Sequence, residues 1–416
     1  IASPDVSGVN VLTLPVETGT ILTTNTPLPE VSSVEFAGAG TSSGNITITA
    51  PDTDETNTLT FPETTGTFAT ENSLGMRNLI INGNMQIDQR NAGSAFTITG
   101  DDEYGLDRWV GRTYGGTGRF SMQQVVDAPS GFEYSNKITV TTTATSGAGG
   151  YGLEQKIEGV NLTMLNYGTA NAKPLTASFW IKSSIAGTYT TSLRTSNASG
   201  NVSSCVNTFT ISLANTWEYK TVTYPANTAF TMKMDNGVAL FFDINFGAQT
   251  SKLTNTLGSW QTGNFVFNSA QLDLLQTSGA TINITGVQLE VGTTATPFEN
   301  LQYGTQLALC QRYYWKWTDE QSLVNAAAYT ATAFYGILSF NTTMRAAPTF
   351  SVSSASHFNI FNSATAVAAS AFSASKITGN SARLNFTASS ARTEGQAGWV
   401  EIIAGGGKYI QADSEL

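Results

Sequence analysis

Three features of this 416-residue sequence predict an all-β protein. Apolar residues come in short alternating runs that recur roughly every ten to twenty residues between Gly, Asn and Ser clusters. Charged residues make up only 12 % of the chain against 40 % apolar ones, and Thr, Ser, Gly and Asn fill much of the remainder. Few windows carry an apolar stripe at helical spacing for more than two turns. A chain this long exceeds one compact core, so two or three domains are expected. The division read from the sequence is a repeat-containing β shaft or attachment region over 1–75, a jelly-roll β-sandwich over 76–299 and a small distal β domain over 300–416.

The N-terminal segment contains an internal repeat. Val11–Thr24 (VLTLPVETGTILTT) returns as Thr58–Glu71 (TLTFPETTGTFATE), each copy placing an apolar residue before Pro and then acid, Thr, Gly, Thr. Units so short and Thr-rich bury too little to fold alone; they gain stability by stacking or by pairing with identical chains. No heptads occur, which excludes a coiled coil. The chain begins at Ile1 rather than Met, which leaves a targeting segment open.

The central region offers a series of candidate strands: Asn78–Gly93, Pro174–Ser184 with the aromatic pair Phe179 and Trp180, Thr216–Phe230, Gly237–Gly247 and Ile284–Gly292. Trp180 lies in a continuous apolar run and reads as core. In the closing strand Ile282, Ile284, Val287 and Leu289 alternate with polar residues across Thr285-Gly286. The segment from Gly292 to Pro297 cannot continue the ladder, because Pro lacks a backbone donor. Beyond it a short helical turn is expected over Tyr303–Arg312. A strand follows with Tyr313, Trp315 and Trp317 on one face and Tyr314 and Lys316 on the other. Further strands are expected at Tyr335–Phe340, Phe350–Ser354, Arg383–Ser389 and Trp399–Gly405.

These segments carry a resemblance. "NLIINGNMQID", "LTASFWIKSS", "TWEYKTVTY" and "ITGVQLEVG", in that order, resemble carbohydrate-binding jelly-roll modules. The Pro-Thr-Gly-Thr repeat, "GVQLEVG…ATPFE", "LALCQRYY", "MRAAPT" and the terminal "ADSEL" resemble bacteriophage tail-fibre and tail-appendage proteins, whose shafts wrap three chains together. The resemblance implies a virion component, a homotrimer joined to other tail proteins through its N-terminal region. Its function would be adhesion to host surface polysaccharide or lipopolysaccharide. A purely structural or decorating virion protein is the alternative, and a surface-polysaccharide depolymerase a second one. Such modules often hold calcium with an acid in the closing strand; Thr285-Gly286-Val287 lacks it.

Residue types restrict the chemistry. Net charge is −10, so no electrostatic footprint for nucleic acid exists. No apolar run approaches the roughly 20 residues that span a bilayer as a helix. The single histidine, His357, has no nucleophile-elbow context and too few partners for a zinc site. Cys205 and Cys310 are expected to be unpaired. Gly147–Gly152 (GAGGYG) has dinucleotide-loop spacing but no βαβ context, and reads as a glycine turn between strands. No cofactor, metal or catalytic residue is assigned, and the protein is not expected to be an enzyme. The densest acidic stretch, Gly100–Trp109, places Asp101, Asp102 and Asp107 in one loop. Sugar binding needs only aromatic faces with nearby amides and acids. Tyr104, Trp109, Tyr114, Tyr151 and Trp260, each beside Gly, Asn or Asp, are the aromatic candidates and are expected to be exposed.

Overall fold

The computed structural model describes residues 33–37, 45–49 and 76–416 except 146, 319, 363 and 364. The first unit, residues 1–68, contributes the antiparallel pair β1 (Ser33–Ala37) and β2 (Asn45–Thr49), with Val34 opposite Ile48 and Phe36 opposite Ile46. Both repeat copies lie outside the described residues.

The second unit, residues 69–416, opens with twelve strands whose alternation sends every second side chain into one core. They are β3 (Phe96–Ile98), β4 (Glu103–Leu106), β5 (Trp109–Tyr114), β6 (Arg119–Val125), β7 (Ser135–Thr142), β8 (Ala148–Glu158), β9 (Leu175–Ser183), β10 (Gly187–Ser196), β11 (Val202–Ile211), β12 (Glu218–Tyr224), β13 (Val238–Gln249) and β14 (Gln261–Thr262), closed by β15 (Thr281–Val291). Seven form a sheet in the order β14-β11-β10-β13-β8-β5-β4, and six form another in the order β12-β9-β15-β7-β6-β3. Every pairing between these strands is antiparallel. Leu153, Leu193, Phe242 and Ile244 from the first sheet meet Phe120, Phe179, Ile181 and Leu289 from the second in one buried cluster. Edge-to-face contacts such as Phe120–Phe246 at 5.1 Å and Phe179–Phe209 at 5.2 Å tie the layers together. The result is a β-sandwich, as the all-β reading expects.

Asn78–Gly93 departs from the expected opening strand. It is irregular, held onto β15 by Leu79 N donating to Leu289 O (2.9 Å) and Val287 N donating to Gly83 O (2.9 Å). Gln155 both accepts from and donates to the Ile81 backbone. Side-chain amides thus satisfy what a ladder would have satisfied. The glycine-rich stretch also differs from a plain turn. Only its start turns, at Gly147, and the rest lies within β8. A Cβ at Gly149 would sit 2.4 Å from the Gly116 Cα, so glycine there permits a close approach of two backbones.

After the sandwich, helix α1 (Tyr303–Gln311) agrees with the expected helical turn. Strand β16 (Tyr314–Thr318) pairs with β24 (Tyr409–Asp413), which also pairs with β19 (Thr349–Val352). The remaining strands, β17 (Ser322–Ala328), β18 (Ala333–Ser339), β20 (Phe358–Phe361), β21 (Ala366–Ser375), β22 (Ser381–Ala388) and β23 (Ala397–Ile402), close into a barrel in the order β17-β18-β22-β21-β20-β23. Phe334, Phe358, Leu384, Phe386 and Val400 fill it. Trp315 is buried and stacks on half-buried Trp317 with centroids 5.5 Å apart.

The C-terminal residues return to the sandwich. Glu415 pairs with Arg90 (2.9 Å) and with Arg108, whose guanidinium lies 3.5 Å from the Tyr313 ring centroid. The Leu416 carbonyl accepts from Lys156 Nζ (2.6 Å) and Tyr104 Oη (3.0 Å). Arg312 reaches both oxygens of buried Glu158 at 2.9 and 2.8 Å. Charge-assisted pairs of this kind fix orientation as well as contact.

Candidate functional site

The structure disperses the aromatic residues singled out in the sequence and buries most of them. Trp109 and Tyr151 are fully buried in the sandwich core, and their polar atoms are engaged: Trp109 Nε1 donates to Asn82 O (3.1 Å), and Tyr151 Oη accepts from Gly118 N (2.9 Å). Tyr114 is buried beneath Val266 and Phe267. Tyr104 is half-buried, its hydroxyl taken by the C-terminal carbonyl. Trp260 is half-buried, edge-on to Tyr167 at 5.7 Å, with its N–H given to Pro225 O (2.7 Å). The expected exposure fails because a neighbouring Gly, Asn or Asp marks a turn, whereas the strand beside it decides which way the ring points.

The acidic loop is likewise committed to structure. Asp101 accepts from Thr113 N (3.0 Å), and Asp102 bridges Arg112 (2.6 Å) and Lys156 (2.7 Å). Buried Asp107 accepts from the backbone N and the side-chain amide of Gln89, both at 2.7 Å, rather than pairing with Arg108. Burial pushes the Asp107 carboxyl up to about 6, against the pull of Arg90.

Asp102 belongs to a larger network across the outer face of the seven-stranded sheet. Register places Ser192 opposite Asp243, Asp243 opposite Glu154 and Glu154 opposite Val110. Arg194 grips Asp243 through Nε (3.0 Å) and Nη2 (2.8 Å) and also reaches Glu154. Glu154 in turn accepts from Arg112 Nη2 at 2.8 and 3.0 Å, and Ser192 Oγ donates to Asp243 (2.8 Å). Arg194, Glu154, Asp243 and Arg112 are all buried. Burial opposes the Arg194 charge, but Asp243, Tyr114 and Glu154 around it raise its pKa further. Each carboxylate is neutralised by a guanidinium, so the face is sealed by ion pairing rather than offered to solvent.

The six-stranded sheet presents the opposite character. Strand β9 sends Phe179 and Ile181 inward and Ser178, Trp180 and Lys182 outward, so Trp180 is not a core residue despite the apolar run around it. Its cross-strand neighbour on β12 is Tyr219, which is 43 % exposed. Their ring centroids lie 5.4 Å apart at 49°. Neither the Trp180 indole N–H nor the Tyr219 hydroxyl has a hydrogen-bond partner among the described residues. On the other side, a bulge in β15 sets Gly286 at φ +61°, where a Cβ would meet the Phe132 ring at 2.6 Å. Phe132 packs edge-on to Phe298 at 5.1 Å. Ser178, Trp180, Tyr219, Phe132, Phe298 and Asn300 line an open groove of about 650 Å³. Its wall is braced by Glu290, which accepts from Thr296 N (2.8 Å) and Thr296 Oγ1 (2.6 Å). The buried Thr285 hydroxyl, opposite Trp180 on β15, has no partner.

This groove can hold a flat apolar face against two rings while exposed Asn300 meets a hydroxyl. The apolar run through Phe179, Trp180 and Ile181 hides that Trp180 points outward, and only the register of β9 with β12 makes it a neighbour of Tyr219. His357 is half-buried, with Nδ1 2.8 Å from Ser353 Oγ. Both cysteines are buried and free. Among the described residues no group of three or more His, Cys, Asp or Glu is arranged for a metal, and no helix is long and apolar enough to cross a membrane.

No protein-family model matches the sequence, and no curated protein does. Among solved structures, the chain is similar to the enzymatically active domain of bacteriophage CBA120 tailspike protein 4, at 15 % identity and a TM-score of 0.26. That match covers 52 % of this chain and only 21 % of the tailspike chain. It is also similar to the family 11 carbohydrate-binding module of cellulase Lic26A-Cel5E of Clostridium thermocellum (13 % identity, TM-score 0.26, 49 % and 98 % of the two chains). A third is the C-terminal family 22 carbohydrate-binding module of Xyn10B of the same organism (10 % identity, TM-score 0.27, 49 % and 98 %). Similarity at this level places no residue and fixes no ligand.

Proposed function

We propose that this chain is an adhesive subunit of a bacteriophage tail fibre or tail appendage, and that the Trp180–Tyr219 groove is where it contacts host surface glycan. The observation that carries the reading is the pair of adjacent outward rings with free polar ends above a groove walled by Phe132 and Phe298. A pyranose offers C–H faces to such rings and hydroxyls to their N–H and O–H groups. The virion assignment rests on the sequence resemblance of the Pro-Thr-Gly-Thr repeat and the "MRAAPT" and "ADSEL" segments to fibre proteins. A three-chain assembly would turn weak single-site contacts into firm attachment.

Binding of the purified chain to isolated host lipopolysaccharide and capsular polysaccharide tests the adhesive role. The wild type binds, and Trp180→Ala and Tyr219→Ala each weaken binding about tenfold, the cost of one aromatic contact. Wild-type affinity in Trp180→Ala sinks the groove. Absence of binding by the intact protein sinks the adhesin and leaves the decorating role. Sedimentation of the full chain at micromolar concentration tests the trimer; a monomer there excludes it.

A further inference from the structure

The outer face of the C-terminal barrel carries a second arrangement with the attributes of a ligand site. Strand pairing sets two cross-strand rows on its surface: Tyr335–Asn385–Ser373 and Ile337–Arg383–Ser375, across β18, β22 and β21. The adjoining row, Ala333–Thr387–Ala371, ends in two alanines and leaves a recess beside Tyr335. All of these residues except Ile337 line an open groove of about 370 Å³.

Arg383 is held there in a specific way. Its Nε donates to Ser375 Oγ (3.1 Å) and to Asn385 Oδ1 (3.0 Å). Asn385 Nδ2 donates to Ser373 Oγ (3.2 Å) and Ser375 Oγ (3.1 Å), which fixes the amide. The guanidinium carbon rests 4.4 Å from the Tyr335 ring centroid. Both terminal nitrogens, Nη1 and Nη2, have no hydrogen bond, and among the described residues no carboxylate pairs with Arg383. By contrast, Arg194 and Arg112 in the sandwich each spend a terminal nitrogen on Asp or Glu. Tyr335 is stacked at 5.0 Å on Tyr329, which is 71 % exposed and offers a free ring face.

An anchored guanidinium with two free terminal nitrogens is a fork matched to a carboxylate, and the ring beside it is matched to a sugar face. We propose that this barrel face is a second saccharide site, selective for a sugar bearing a carboxylate, such as a hexuronic acid. Arg383 would take the carboxylate bidentately, Tyr335 and Tyr329 would supply the apolar contact, and Asn385 with Ser373 would orient the guanidinium and meet a hydroxyl. The inference extends the glycan-binding reading to a separate surface and does not depend on the Trp180 groove.

Titration calorimetry of the full chain with trigalacturonate and with an oligoglucuronate, each against its methyl ester, tests it. The acids bind and the esters bind about tenfold more weakly, because esterification removes the charge-assisted fork. Arg383→Gln weakens binding of the acid by a similar factor, Arg383→Lys restores part of it, and added salt weakens the wild type. Trp180→Ala leaves uronate binding unchanged. Thermal melts of each variant check that the barrel is folded. Equal binding of acid and ester, wild-type affinity in Arg383→Gln, or no binding of either acid up to roughly 10 mM overturns the inference. Uronate binding lost in Trp180→Ala but kept in Arg383→Gln also overturns it, while leaving the sandwich groove intact. A change of sedimentation in Arg383→Gln without loss of uronate binding assigns the face to contact between copies instead.

Discussion

The two outer faces of the sandwich use the same antiparallel frame for opposite ends. On the seven-stranded sheet, Arg194, Asp243, Glu154 and Arg112 are buried and exhaust one another's charge. On the six-stranded sheet, Trp180 and Tyr219 stand over an open groove with their polar ends unspent. A face whose charges are all paired contributes rigidity and has little left for a ligand. A face whose rings keep free donors costs little stability and retains binding capacity. The contrast is testable, because substitutions on one face should move stability and those on the other should move binding.

The largest effect is expected from Arg194→Ala. It strands Asp243 as a buried carboxylate, while Glu154 keeps Arg112, and removing one partner of a buried pair costs about 3–5 kcal/mol. Urea denaturation should show the loss, while glycan binding at the Trp180 groove by the folded fraction stays as in the wild type. A loss below about 1 kcal/mol would show that water reaches the network and that this face is open after all.

Glu415→Ala extends the same logic to the junction with the C-terminal strands. It removes the common partner of Arg90 and Arg108, both pressed against Tyr314 and Tyr313 rings. A loss of about 2–4 kcal/mol is expected, somewhat less than for Arg194 because Asp413 remains 3.4 Å from Arg90. Calorimetry should show the melting of the C-terminal strands separating from that of the sandwich.

Asp107 gives a pH signature. Burial raises its carboxyl from the ordinary aspartate value of 3.8 to about 6 in the folded chain. Between these values the folded state holds a proton that the unfolded state has released. Stability therefore falls as pH rises from about 4 to about 6, by about 2 kcal/mol if the full shift is expressed. Comparing the pH dependence of wild type and Asp107→Asn by urea denaturation isolates this contribution. Parallel curves would mean that Asp107 titrates normally.

Much of this organisation is legible in the sequence, and the parts that are not share a cause. The all-β class, the helix after Tyr303, the strands at Leu175, Glu218, Val238 and Thr281 and the unpaired cysteines follow from alternation and composition. Alternation is local. What decides exposure is not, since Trp109 and Tyr151 sit beside turn residues yet point into the core. Trp180 sits in an apolar run yet points out, next to a tyrosine 39 positions away that only the β9–β12 register brings close. Asn78–Gly93 reads as a strand because its apolar residues alternate. Asn78, Asn82 and Gln155 make other hydrogen bonds available to its backbone. The ionic face is invisible for the same reason: Arg112, Glu154, Arg194 and Asp243 are scattered through four strands and meet only once the seven-stranded sheet forms. The barrel strands β17 and β21 are rich in Ala and Ser, with too little apolar contrast to stand out, and β20 is only four residues long.

The smallest change in stability, and the sharpest test of the contrast, is expected at Tyr219. Its ring is 43 % exposed, lies against Trp180 and is not a member of the core cluster between the sheets, so Tyr219→Ala should cost less than about 1 kcal/mol. If the open face exists for recognition, that variant nonetheless loses glycan affinity about tenfold, an effect out of proportion to its stability. Tyr219→Phe separates the two parts of the contact. It keeps the ring and removes only the hydroxyl, so stacking alone predicts near wild-type affinity, and a hydroxyl that bonds the sugar predicts an intermediate loss. A Tyr219→Ala variant that melts several degrees lower yet binds as the wild type would reverse the assignment, making this face the structural one.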